Sequence, residues 1–213
     1  NGKFSEISDQ VGAENYWPWG LSSGDLNSDG YEDVFIASSM NYPFRYAVNS
    51  VLLNNNGKGF LDSEYVLGVE PRKNGVTATP WFEINCSGRD AGSNLCGETR
   101  GRRVIWGALG SRSSVIFDLD QDGDQDIVTL EFNQPPLVLV SNLSDKKKLN
   151  YLNVKLNGTT SNKSGLGARV KVFAGDEVLT KMHHGKSGYI SQSLYPLYFG
   201  FGKAKKIDKI EVL

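Results

Sequence analysis

Five aspartates fall within nine residues in FDLDQDGDQDIVTL, Phe117 to Leu130. Asp118, Asp120, Asp122, Asp124 and Asp126 alternate with other residues, and Gly123 stands sixth in the run. An earlier segment, GDLNSDGYEDVFIA from Gly24 to Ala37, repeats the arrangement with Asp25, Asn27, Asp29 and Asp33 and with Gly30 sixth. Carboxylates a few ångströms apart repel unless a cation lies between them. Calcium accepts about 6–8 hard oxygen ligands in irregular geometry, whereas magnesium demands a tight octahedron. A turn of the form D-x-[DN]-x-D-G-x-x-D offers side-chain oxygens at its first, third, fifth and ninth places and a backbone carbonyl at its seventh, with glycine allowing the sharp bend. Two calcium sites are therefore predicted. The first uses Asp25, Asn27, Asp29 and Asp33 with the Tyr31 carbonyl, the second Asp118, Asp120, Asp122 and Asp126 with the Asp124 carbonyl.

An EF-hand loop would continue to a glutamate at its twelfth place on an exiting helix. Here that place holds Ile36 or Thr129, each inside a β-branched apolar run. The ligand set must close at the ninth residue, on a strand–turn–strand unit, and the expected role of the ion is structural.

The elements that carry these turns read as strands throughout, and no helix is predicted. Short β-branched or aromatic runs recur: 34–37, 51–54, 104–106, 115–117, 127–132, 137–141, 151–156, 168–173, 177–182, 197–201 and 206–213. Each is bounded by turn-forming residues, and VKVFAGDEVLTKM reads as a hairpin. The two acidic turns start 93 residues apart, at Asp25 and Asp118. Each follows an apolar strand (WGLSSG, SRSSVIF) and precedes a second strand, a Pro- or Asn-rich turn (SMNYPFRYAVN, NQPP) and a third strand. This spacing is about twice a propeller blade of roughly 40–50 residues, with divergent sequence at about 61–105 in place of one unit. The opening NGKFSEI echoes NGKGFLDSE at 56–64, as the end of an earlier repeat would. The polar run SDKKKLN (144–150) marks a junction, giving a repeat region over 1–148 and a small antiparallel β-domain over 149–213.

Composition narrows the function classes. Residues 1–145 carry 10 Lys and Arg against 20 Asp and Glu, whereas residues 146–213 carry 13 against 4. Two oppositely biased regions, or a basic C-terminal face for an acidic partner, both fit. No nucleic-acid motif accompanies the lysines, and no apolar run reaches the roughly 20 residues of a membrane helix. Cys86 and Cys96 lie in one polar loop without further Cys or His nearby. A disulfide is expected, and with it an oxidising compartment.

Other motifs carry less. GLSSG at 20–24 has the G-x-S-x-G form but leads into an acidic turn rather than a helix, which argues against Ser22 as a nucleophile. His183 and His184 are adjacent, so on a strand they face opposite ways and a surface or turn role is expected. The glycines of SGLGAR read as turn formers. Trp17, Trp19, Trp81 and Trp106 read as packing residues, with a sugar-binding surface as the alternative.

GDLNSDGYEDVFIA and FDLDQDGDQDIVTL resemble the FG-GAP/VCBS repeats of integrin-like β-propellers. SNKSGLGARVKV, SGYISQS and LYFGFGKAKKIDKIEV resemble the ASPIC/UnbV domain, and the pairing is similar to that of the cartilage acidic protein-like family. The resemblance implies an all-β chain: partial propeller blades followed by a small antiparallel β-domain. It further implies secretion or cell-surface exposure, calcium binding and an adhesion or scaffolding role with a protein or glycan partner or the rest of a longer propeller, and it supplies no catalytic residues. A glycan- or polyanion-binding module and a piece of a secreted propeller enzyme are the alternatives.

Overall fold

A computed structural model describes residues 2–39, 45–132 and 134–213. Residues 40–44 and 133, which belong to the two Pro- or Asn-rich turns, lie outside them. After a four-residue helix α1 (Ser8–Val11), the chain forms an antiparallel meander of β1 (Pro18–Gly24), β2 (Asp33–Ser38), β3 (Ser50–Asn54) and β4 (Phe60–Asp62). A hairpin of β5 (Ala78–Asn85) and β6 (Arg102–Ala108) follows. Next comes a three-stranded antiparallel sheet of β7 (Ser111–Phe117), β8 (Asp126–Glu131) and β9 (Leu137–Leu139). Beyond a second short helix α2 (Leu143–Lys146) come β10 (Tyr151–Val154), β11 (Arg169–Ala174), β12 (Glu177–Met182), β13 (Lys186–Ser187), β14 (Ser191–Gln192), β15 (Leu197–Gly200) and β16 (Lys209–Val212). These last strands pair as β10–β15, β12–β11–β16 and β13–β14, all antiparallel. The chain is thus all-β with several antiparallel sheets. Among the described residues no helix is long and apolar enough to cross a membrane.

The internal repeat is kept residue for residue. β7 and β8 begin and end 93 residues after β1 and β2, and the register slip between Pro18 and Gly20 recurs between Ser111 and Ser113. The two first strands pack on each other, which explains the small residues of PWGLSSG. A Cβ at Gly20 would stand 2.7 Å from the Arg112 carbonyl oxygen, and one at Gly24 would stand 2.6 Å from Ile116 Cγ2. Phe35, Ala37 and Val51 of the first sheet and Ile116 and Ile127 of the second then close one core. A buried polar cluster reinforces it. Arg72 Nη1 meets Glu131 Oε2 at 2.7 Å, Arg72 Nε donates to Tyr46 at 2.9 Å, and the Tyr46 hydroxyl donates to Glu70 at 2.6 Å.

A second core joins Val170, Val172, Phe199 and Phe201 of the C-terminal sheets. The third is small: Ile84, Ile105 and the Cys86–Cys96 disulfide, both sulfurs inside the β5–β6 hairpin unit. A hairpin alone buries too little to hold itself, and closing so short a loop is worth about 2–3 kcal/mol. β5 was not legible as a strand because Pro80 interrupts it. The structure absorbs that proline where the β5–β6 register shifts, between Pro80 and Phe82, a position at which a missing N–H costs no ladder bond. The run 137–141 yields only the strand Leu137–Leu139, because the Ser141 N–H turns away to Asp126.

Candidate metal centre

Both acidic turns are built on one hydrogen-bond plan. The fourth and sixth residues take left-handed backbone conformations: Ser28 and Gly30 at φ 56° and 96°, Gln121 and Gly123 at 66° and 97°. The first aspartate then accepts from the glycine, Gly30 N to Asp25 Oδ2 at 2.9 Å and Gly123 N to Asp118 Oδ2 at 3.1 Å. The fifth accepts from the seventh residue, Tyr31 N to Asp29 Oδ1 at 2.9 Å and Asp124 N to Asp122 Oδ1 at 3.0 Å. The ninth ties the turn to the sheet. Asp33 accepts from Leu26 N and Asn54 N, and Asp126 from Leu119 N and Ser141 N, all four at 2.8 Å. Both ninth-place carboxylates are fully buried.

The turns differ at the third place. In turn one Asn27 Oδ1 accepts from Asp29 N and its amide nitrogen donates to Asp29 Oδ2, each at 3.0 Å. Lys147 Nζ donates to the Asn27 carbonyl at 2.6 Å. In turn two the third place is Asp120, which cannot donate when ionised. Ligand oxygens of Asp118, Asp120 and Asp126 all lie within 4.8 Å of one another, and among the described residues no other group of three acidic, His or Cys side chains does so. Asp118 Oδ1 is buried without a hydrogen-bond partner.

The electrostatics follow. Burial raises the Asp118 and Asp126 carboxyls above the ordinary range, and the charge of Asp120 adds to both. Burial likewise pushes Asp33 up to about 7, with Asp25 and Asp29 adding. Asp25 is raised by burial but drawn back in part by its own N–H contacts and by Lys181. Asp122 is held low, chiefly by the Ser144 hydroxyl that donates to it. Among the described residues no basic side chain bonds to an aspartate of turn two. An oxygen-only, acid-rich cluster with one orphaned carboxylate oxygen suits a hard divalent cation.

Of the predicted ligands, then, the structure brings together Asp118, Asp120 and Asp126. Asp122 is turned to Ser144 at α2, and Asp124 is fully buried with Oδ2 accepting from Ser144 N at 2.8 Å. The side chain of Tyr31 is exposed. Asp25, Asn27, Asp29 and Asp33 form a turn whose carboxylate oxygens are all engaged by N–H groups.

Several participants were beyond sequence reasoning because they arrive from distant segments. Gln125 Oε1 accepts from Asp25 N at 2.7 Å, fastening one turn to the other. The Tyr198 hydroxyl of β15 donates to the Gly123 carbonyl at 3.0 Å and lies 2.5 Å from Ser28 Oγ, bridging both turns. A Cβ at Gly200 would sit 2.1 Å from Asp25 Oδ2, so only glycine permits β15 to pass this close. The run LYFGF, read only as a strand, gave no hint of this.

Ser22 is not presented as a nucleophile. It lies within β1, is buried, and its hydroxyl donates to the Ser114 carbonyl at 2.8 Å. His183 is buried and His184 exposed, both in the link between β12 and β13 rather than within a strand. Trp17, Trp19 and Trp106 are each at least a third exposed, and Trp19 donates its indole N–H to the Ser39 carbonyl at 2.7 Å.

No curated protein matches the chain. Residues 158–213, the segment that carries Tyr198 and Gly200 onto the two turns, match the family model described as ASPIC and UnbV.

Proposed function

We propose that this chain is a non-catalytic, calcium-stabilised binding module of an extracytoplasmic compartment, serving adhesion or scaffolding. The two meanders related at 93 residues are read as FG-GAP/VCBS-type propeller blades, and the C-terminal sheets as the ASPIC/UnbV domain docked on their turns. The observation that carries this is the convergence of Asp118, Asp120 and Asp126 around a buried, unpartnered carboxylate oxygen. Asp118, Asp120 and Asp126 would hold the ion, with Asp25, Asn27, Asp29 and Asp33 forming a weaker second position. Bound there, calcium supplies the positive charge that the buried carboxylates lack. The protein's part is to hold the turns rigid and to seat β15 across them through Tyr198. The disulfide supports the compartment.

Calorimetric titration of calcium into chelator-treated protein tests the reading. A saturable site that disappears in Asp120→Asn supports it. No binding heat together with an unchanged melting temperature in calcium would overturn it.

A further inference from the structure

Two clefts open beside the docked C-terminal sheets. One, of 530 Å³, is lined by Lys155, Asn157, Lys163, Ser164, His183 and Tyr195 among others, with no carboxylate in its wall. The other, of 380 Å³, lies between β1 and the β12–β13 segment and is lined by Lys181, Lys186, Ser187 and Ser193, with Glu32 and Gln125 also in its wall. His183, Tyr195 and Pro196 belong to both walls, so the two clefts adjoin.

Three features mark a built anion site. First, His183 is 7 % exposed, yet its ring makes no hydrogen bond among the described residues. Its ring nitrogens are not among the buried polar atoms that lack a partner, so they keep access to the cleft. Second, Lys155, Lys163 and Lys186 have no acidic partner among the described residues. Lys181 is paired with Glu32, so Glu32 does not neutralise the others. In the 530 Å³ cleft, where no carboxylate lines the wall, Lys155 and Lys163 concentrate positive potential. Third, neutral hydroxyl and amide groups share the walls, among them Asn157, Ser164, Ser187 and Ser193. Tyr195 is fixed by stacking on Phe117, centroids 4.0 Å apart and planes 7° from parallel. Small neutral donors and acceptors beside an anchored aromatic ring suit a polyhydroxylated ligand, and both volumes are in the range of about 300–1,000 Å³ typical of small-ligand pockets.

We infer that the adjoining clefts walled by His183 and Tyr195 bind an acidic oligosaccharide, its sulfate or carboxylate groups held by Lys155, Lys163 and His183. The residues named to hold it, Lys155, Lys163 and His183, are not among the proposed metal ligands, and the 380 Å³ cleft borders the turns at Glu32, Gln125 and Tyr198.

Calorimetry in calcium-containing buffer with a heparin tetrasaccharide, a tetragalacturonate and neutral maltotetraose tests it, the first two separating sulfate from carboxylate recognition. At least one acidic probe should bind saturably, with affinity falling as salt rises, and maltotetraose should not bind. The exposed double change Lys155→Ala with Lys163→Ala should weaken binding about tenfold or more, as loss of charge-assisted bonds implies. His183→Gln should weaken it as well, and Lys58→Ala, in the β3–β4 turn, should not. Should His183→Gln fail to fold, the lysine pair still decides. Absence of binding to both acidic probes, affinity unchanged in the lysine double variant, or equal competition by pentaglutamate would each overturn the proposal.

Discussion

Turn one and turn two share a backbone and differ in what fills it. Both put a residue with positive φ at the fourth and sixth places, and both bury their ninth aspartate under two N–H groups. Turn one then completes itself with an amide at Asn27 and a lysine at the Asn27 carbonyl. Turn two has a carboxylate at the third place, and buried oxygens of Asp118 and Asp124 lack a hydrogen-bond partner. The acidic pattern thus does two separable jobs. Its first, fifth and ninth residues shape the turn, and its third decides how much negative charge is left for an ion. A sequence motif scored as one unit conceals that division.

The largest expected effect tests the shared part. Replacing Asp33 or Asp126 with Ala removes a buried carboxylate and leaves two partly buried N–H donors without their partner, and each change should cost about 2–4 kcal/mol. The costs, measured by urea unfolding in chelator, should be alike in the two turns. A large loss at Asp126 with almost none at Asp33 would mean that the scaffolds are not equivalent.

Next in size are the glycines where other elements cross the turns. Gly200→Ala drives a methyl group against Asp25 Oδ2 and to 2.8 Å from Ser28 Cα, and overpacking of this kind costs about 1–3 kcal/mol. Gly123→Ala brings its Cβ to 2.4 Å from the Tyr151 ring. That ring is partly exposed and can give, so the steric part of the cost should be smaller. Gly123 also stands at φ 97°, a strain that Gly200→Ala does not add, so both variants should lose stability by thermal unfolding. An unchanged melting temperature in Gly200→Ala would mean that β15 does not cross turn one this closely.

How much of this was legible follows from distance along the chain. The 93-residue repeat, its strands and its glycine bends are local patterns, and the sequence displayed them directly. The pairing of Cys86 with Cys96 was local too, although its place in a core with Ile84 and Ile105 was not. The unequal character of the turns depends on Lys147, Ser144 and Tyr198, contributed by segments whose composition says only that they are polar or strand-forming. Asp122 was expected as a ligand because its spacing fits. The hydroxyl of Ser144, 22 residues later, gives it another partner. The buried ring of His183 was invisible for the same reason, since a strand end has no fixed inside until the second region docks.

The difference between the turns is read most directly by calcium. With free calcium tenfold above its dissociation constant, one site adds about 1.4 kcal/mol, a rise of about 3–6 °C in melting temperature for a chain of this size. Asp120→Asn should remove most of that rise, whereas Asn27→Ala should leave most of it. Equal losses from the two variants would abolish the distinction drawn between the turns.

The smallest effect concerns what the turns have in common again, their bridge. Tyr198→Phe removes the bond to the Gly123 carbonyl and the contact with Ser28 Oγ while keeping the ring stacked on Tyr151, 5.4 Å between centroids. A single buried hydrogen bond is worth about 1 kcal/mol, so the expected loss is of that order. A double-mutant cycle with Ser28→Ala separates the two halves of the bridge. If the hydroxyl holds both turns, the Tyr198→Phe cost should shrink in the Ser28→Ala background without vanishing, because the Gly123 bond remains. Independent, fully additive costs would mean that Ser28 only borders the bridge, and that the C-terminal sheets are fastened to turn two alone.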